Sequence, residues 1–178
     1  MAAFEKLDWR RLDVDAIVNH EGLLSVEDQD AQVCRNWLLT NGYEIVTVDC
    51  QQGLSDVIPF LGKLFRWKEN FGYELTVDKR NLNALRDGFD FTIPESGGFV
   101  FELIRPDVLW VEDPRWLIGL LSIAREYSRW KLALGQRFFT LLVLSTEATL
   151  IGNQVDVCVV PPCLSSRQIK SLIVHGNV

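Results

Sequence analysis

Residues 138 to 144, Phe-Phe-Thr-Leu-Leu-Val-Leu, carry no charge, and they follow a helix whose two ends are both marked in the chain. Asp113-Pro114 gives an N-cap followed by proline at the first helical position, where its missing N–H costs nothing, and Gly135 gives the stop. A strand so uniformly apolar needs cover on both faces, which is the condition of a strand inside a parallel sheet. Two further segments read as strands. Tyr43 to Asp49, YEIVTVD, is β-branched and aromatic, and Phe99 to Ile104 follows the breakers Pro94 and Gly97-Gly98. Three strands separated by helices predict a small, mainly parallel α/β sheet with the core order β-α-α-β-α-β, its helices packed on the sheet.

The remaining helices are read from caps and periodicity. Ser25 is placed to cap a helix to Thr40, with Val33, Trp37 and Leu38 on one face and Asn41-Gly42 as its stop. Ser55 is placed to cap a second helix, Asp56 to Trp67. A loop, KENFGYELTVDKR, leads to a third helix, Asn81 to Phe91, with Leu82, Leu85 and Phe89 as its apolar stripe. Beyond the last apolar strand, Gly152-Asn153 fits a turn into a strand at Val155 to Val160, which Pro161-Pro162 ends, and Ser165 or Ser166 caps a short helix ending near Gly176. The chain therefore reads as one domain over 1–178: an acidic helical extension over 1–42, a core over 43–145 and a C-terminal extension of strand and short helix over 146–178.

At 178 residues, 48% of them apolar, with six Trp and ten Phe, the chain can bury a core without covalent staples. Its first residues lack a basic segment followed by an apolar run, and its longest apolar stretch is too short to cross a bilayer, so the expectation is a cytoplasmic protein with no membrane attachment. Cys34, Cys50, Cys158 and Cys163 contain no C-x-x-C pair and are expected to be reduced and mostly buried. The net charge of −6 is concentrated in residues 1 to 60, which hold eleven acids against four bases. That excess repels nucleic acid and favours a basic partner, or simply solvates the surface.

Catalytic and metal-binding patterns are sparse. His20 and His175 lie in no pattern that recurs around a nucleophile or metal, and a zinc site built on Cys158 and Cys163 has weak spacing beside two prolines. There is no Gly-rich phosphate loop and no nucleophile elbow. Asp87 and Asp90, three apart on one helix, can be read as paired catalytic carboxylates or as a solvated face. Phe71 and Tyr73 near Lys79 and Arg80 can be read as a stacking platform for nucleic acid, against which the net charge argues, or as loop packing. No cofactor, no metal, no direct nucleic-acid contact and no enzymatic activity are expected.

The stretch Asn81-Leu82-Asn83-Ala84-Leu85-Arg86-Asp87-Gly88-Phe89 resembles the second-helix motif of the barstar family, N-L-D-A-L-x-D-x-L, which an aromatic-glycine pair precedes; Phe71-Gly72 stands in that role here. The order of elements around the motif is similar as well, over about residues 43 to 145. Barstar-like proteins inhibit toxic ribonucleases by presenting the motif helix and its preceding loop to the active site, where carboxylates occupy the positions of substrate phosphates. The resemblance implies a barstar-like three-layer fold and an immunity protein or antitoxin whose partner is a cognate protein toxin, a nuclease first of all.

Carried over by residue, Asp87 stands at the motif's second Asp, the main active-site contact. Asn83 stands at the first, without its charge. Arg86 and Asp90 share the helix face with them, while Phe71 and Tyr73 belong to the presenting loop. Arg86, a longer segment between Gly72 and Asn81, and the basic helix carrying Arg115, Arg125, Arg129 and Lys131 against Glu126 alone all depart from the family pattern. They leave open a non-nuclease toxin, or a small enzyme with dispersed acids.

Overall fold

Four parallel strands in the order β1-β4-β3-β2 form the centre of the chain: β1 (Leu23–Glu27), β2 (Tyr43–Asp49), β3 (Gly98–Ile104) and β4 (Phe138–Leu144). The structure is a computed structural model that describes residues 11–145 and 163–174. Its helices are α1 (Leu12–Val14, running on as a π-helical turn Asp15–Asn19), α2 (Asp28–Thr40), α3 (Leu54–Leu64), α4 (Trp67–Phe71), α5 (Leu82–Gly88), α6 (Pro106–Glu112), α7 (Pro114–Ala133) and α8 (Ser166–Val174). Among the described residues no helix is long and apolar enough to cross a membrane.

The nearly all-apolar run at β4 does what its composition requires. Phe138, Leu142 and Leu144 join one hydrophobic cluster, while Phe139, Leu141 and Val143 join another on the opposite side of the sheet. Helices α3, α4, α5, α6 and α7 supply the first cluster; α1, α2 and α8 supply the second. The result is three layers. The connection from β1 to β2 runs in the opposite direction along the sheet from those between β2, β3 and β4, and it uses the opposite face. All crossovers therefore share one hand.

The first layer is aromatic. Phe91 lies tilted on Phe99 at 4.6 Å, Tyr127 meets Phe138 edge-on at 4.7 Å, and Phe89 packs on Phe65, Phe91, Phe101 and Tyr127 at 5.1–5.5 Å. Each buried ring contributes roughly 1.5–3 kcal/mol through lost apolar surface. The second layer holds buried carboxyl groups as well. Glu102, fully buried at the middle of β3, accepts from Arg35 Nε at 2.7 Å and from Thr47 Oγ1 at 2.8 Å. Asp13, equally buried, accepts from Tyr43 Oη at 2.7 Å and is paired with Arg11.

Several expectations are corrected. The acidic N-terminal third is more than a helical extension, because it supplies β1, a strand of the sheet itself. Ser25 lies inside that strand with its hydroxyl buried, and the helix starts three residues later at Asp28, since Leu23, Leu24 and Val26 gain more from lining both faces of the sheet than from a helical turn. With that start the buried stripe is Asp30, Ala31, Cys34, Trp37 and Leu38, so Val33 falls outside it and is 43% exposed. Helix α3 is capped by Glu112 rather than Ser55: the Glu112 carboxylate accepts from Leu54 N at 2.7 Å. Trp67 opens a separate helix after Arg66, which takes a left-handed conformation.

Helix α5 stops at Gly88, three residues short of Phe91, and α6 was not anticipated. The Asp113 cap holds as read, its side chain accepting from Trp116 N at 3.1 Å. At the chain's end Ser165 and Gln168 form a reciprocal capping box for α8. The strand expected at Val155 to Val160, Cys158 and His175 lie outside the described residues.

Candidate functional site

Helix α5 is short, and three contacts fix it. The Asn81 side chain caps it, accepting from Asn83 N at 2.9 Å and Ala84 N at 3.4 Å. Leu85 is buried, and Leu82 lies against Gly119 of α7, where a Cβ would collide with the leucine methyls. At its far end the ring of Phe71 covers Gly88, within 3.1 Å of where a Cβ would stand. Gly88 is a poor helix residue, so the chain turns there, and Phe89 drops into the aromatic layer while Asp90 is held out by the turn.

Helices α5 and α7 enclose a cleft of about 380 Å³, lined by Arg86, Asp87, Phe89, Asp90, Ile123, Glu126, Tyr127 and Trp130. Three of the residues singled out from the sequence therefore meet in one concavity. Arg86 crosses it to Glu126, Nε to Oε2 at 3.1 Å, which offsets the guanidinium charge within the molecule. Asp90 accepts from Tyr127 Oη at 2.8 Å and lies 3.5 Å from the Lys131 ammonium. That ammonium sits over the rings of Tyr127 and Trp130, at 4.9 and 4.5 Å. Burial pushes the Tyr127 hydroxyl well above the usual tyrosine value; the Phe91 N–H that donates to it works the other way, and Asp90 adds to the rise.

Asp87 differs from its neighbours. It is exposed and has no hydrogen bond or ion pair among the described residues. Beside it Trp130 leaves 53% of its surface open on α7. The cleft thus offers one uncommitted carboxylate at the rim of an apolar floor, with three carboxylates against one guanidinium in its lining.

The other singled-out residues are placed elsewhere. Asn83 is exposed but lines a neighbouring concavity with Asp78, Arg80, Asp113 and Arg115. Phe71 and Tyr73 are half-buried, their rings packed on Trp67 at 4.5 and 6.1 Å, so the enlarged loop folds back onto the core through its aromatics. Of the bases of α7, only Lys131 reaches the cleft among the pairs described, and two others turn away from it. Arg125 and Arg129 pair with Glu21, and Lys131 with Asp90. Much of the N-terminal acidity is spent internally too, Asp13 on Arg11, Asp15 on His20 and Asp30 on Ser166.

Tyr127, Trp130 and Glu126 were not among the residues chosen from sequence. A signal existed for Trp130: the stripe Trp116, Leu117, Leu120, Ile123, Ala124, Tyr127 and Lys131 leaves it outside the buried face. Among the described residues no group of three or more His, Cys, Asp or Glu side chains is placed to hold a metal ion. Cys34 and Cys50 are buried, and burial pushes both thiols up to about 12, far from the reactive range. No protein-family model matches the chain, and no curated protein matches it in sequence.

Proposed function

We propose that the chain is an immunity protein or antitoxin that binds a cognate protein toxin and blocks its active site, with the α5–α7 cleft as the contact face and a ribonuclease as the first candidate target. The observation that carries this reading is Asp87, an uncommitted carboxylate on a capped, well-anchored helix beside the half-exposed Trp130. A fold with no use for Asp87 would solvate it anywhere. Its place at the rim of an apolar cleft is what a partner's basic group needs, since the pair is desolvated as the rings are covered. The resemblance of residues 81 to 89 to the barstar motif points to the same helix. Because Arg86 is offset by Glu126, its charge is no obstacle to a basic partner.

A second reading, a toxin that is not a nuclease, is favoured by one feature. Asn83 brings no charge and faces a different concavity, so the cleft presents fewer carboxylates than a site built for several phosphates would demand.

The test is inhibition by stoichiometry. Toxins from the native source are assayed for their own activity with the chain added in rising proportion. Loss of one toxin's activity at one chain per toxin, with a stable complex on size exclusion, is the expected result; RNA cleavage against another activity separates the two readings. Binding without loss of activity, or turnover of a small substrate by the chain alone, would contradict the proposal.

A further inference from the structure

We infer that the outer edge of β2 accepts an extended, basic segment of another protein as a fifth strand of the sheet. The two edges of the sheet are treated differently. The edge at β1 is closed by the chain itself: Leu164 N donates to Ser25 O at 3.0 Å, in a parallel bridge to Val26. The edge at β2 has no strand or bridge beside it among the described residues. It is also long, seven residues, and free of the proline, lysine or bulge by which an edge is usually blunted.

The hydrogen-bonding direction follows from parity. Cys50 N donates to Ile104 O at 2.9 Å, so the backbone groups of Glu44, Val46 and Val48 face β3, and those of Ile45, Thr47 and Asp49 face outward. Side chains divide the same way. Val46 and Val48 belong to the layer of α3, whereas Tyr43 and Ile45 belong to the layer of α2.

Charge selects the occupant. Glu44 is exposed and has no partner among the described residues, Asp49 is exposed and accepts only from the nearby Gln51 N, and β2 contains no base. Two copies paired antiparallel about Val46 would set Glu44 opposite Val48 and Asp49 opposite Tyr43, so a second copy supplies neither carboxylate with a base and adds two more to the ribbon, which disfavours self-pairing. A segment with Lys or Arg opposite Glu44 and opposite Asp49, and β-branched residues between, gains main-chain bonds and two charge pairs at once. This inference does not rest on the α5–α7 cleft, and a partner could engage either surface alone.

The test uses the acetylated, amidated peptide Lys-Thr-Val-Val-Thr-Lys, which reads the same in both directions, and residue-resolved amide exchange by NMR. At millimolar peptide the Ile45 and Thr47 amides are expected to slow by about tenfold or more, while those of Val46 and Val48, already bonded to β3, stay unchanged. The matching peptide with Glu at both ends should have no effect. Ile45→Pro removes an outward N–H and no bond to β3, so it should abolish the response with circular dichroism unchanged. Should that variant fail to fold, the double change Glu44→Lys and Asp49→Lys supplies the decision, because it should reverse the preference toward the Glu-ended peptide. Unchanged exchange with the Lys peptide, equal effects of both peptides, or protection of Ile45 and Thr47 by dimerisation of the chain alone would overturn the inference.

Discussion

Glu102 and Asp87 are both carboxylates on well-anchored elements, yet the molecule treats them in opposite ways. Glu102 is fully buried behind α2 and has Arg35 and Thr47 within 2.8 Å. Asp87, on the other side of the sheet, is open to solvent and has no partner among the described residues. A buried carboxylate must be satisfied within the fold, because leaving it unpaired costs several kcal/mol. An exposed one is satisfied by water and costs the fold nothing, so it is available to an outside partner that removes the water. The difference separates acids that hold the structure from acids that can serve binding, and several substitutions test where that line falls.

The largest expected effect is on stability. Glu102→Ala strands the Arg35 guanidinium against the sheet and should destabilise the chain by about 3–5 kcal/mol in urea unfolding, a figure reduced to the extent that Arg35, about a quarter exposed, finds water. Glu102→Gln, which keeps an acceptor, should cost less. On the other side of the sheet, Trp130→Ala removes a half-exposed ring that touches Tyr127 and Lys131, so it should cost about 1 kcal/mol of stability and weaken binding of the proposed toxin by about 2 kcal/mol, read as faster dissociation by surface plasmon resonance. Asn81→Ala, which removes the cap of α5 without touching the cleft, should cost about 1 kcal/mol of stability. A loss of affinity no greater than that loss of stability would mean that the helix serves the partner only by being folded.

A further effect is a pH dependence. Cys34 and Cys50 are raised from 9.0 to about 12 in the folded chain, so the folded state holds their protons more tightly than the unfolded state does. Their contribution is therefore complete below about pH 9 and is lost as pH rises from there through about 12. Denaturant midpoints between pH 8 and 11 should fall, and Cys34→Ala with Cys50→Ala should flatten the decline.

How much of this was legible in the sequence depends on whether the cause was local. Strand β4 could be read because a seven-residue run with six apolar side chains and no charge fits a covered strand, and α7 because Asp113-Pro114 and Gly135 mark its ends chemically. Strand β1 could not. Its five residues run directly into the acids of α2, Ser25 looks like a cap, and the partner that makes LLSVE a strand, β4, lies more than a hundred residues away. The site divides in the same manner. Arg86 and Asp87 are neighbours in the chain, whereas Glu126, Tyr127 and Trp130 reach them through the close approach of α5 to α7 where Leu82 meets Gly119, a crossing that spacing within either helix does not contain. The sequence around Phe71 and Tyr73 suggests rings presented to a partner, but Trp67 beneath them draws both rings inward.

The most direct test is a pair of measurements on Asp87→Ala: its unfolding free energy and its affinity for the proposed toxin partner, once the inhibition assay has identified one. The account predicts stability unchanged within about 0.5 kcal/mol, as for a surface residue without partners. It predicts binding weakened by about 2–5 kcal/mol or more, a range for truncating one partner of a desolvated charge pair that is itself drawn in part from barstar complexes. Full affinity in the variant, or a loss of stability as large as the loss of binding, would contradict the claim that the α5–α7 cleft is where the partner is held.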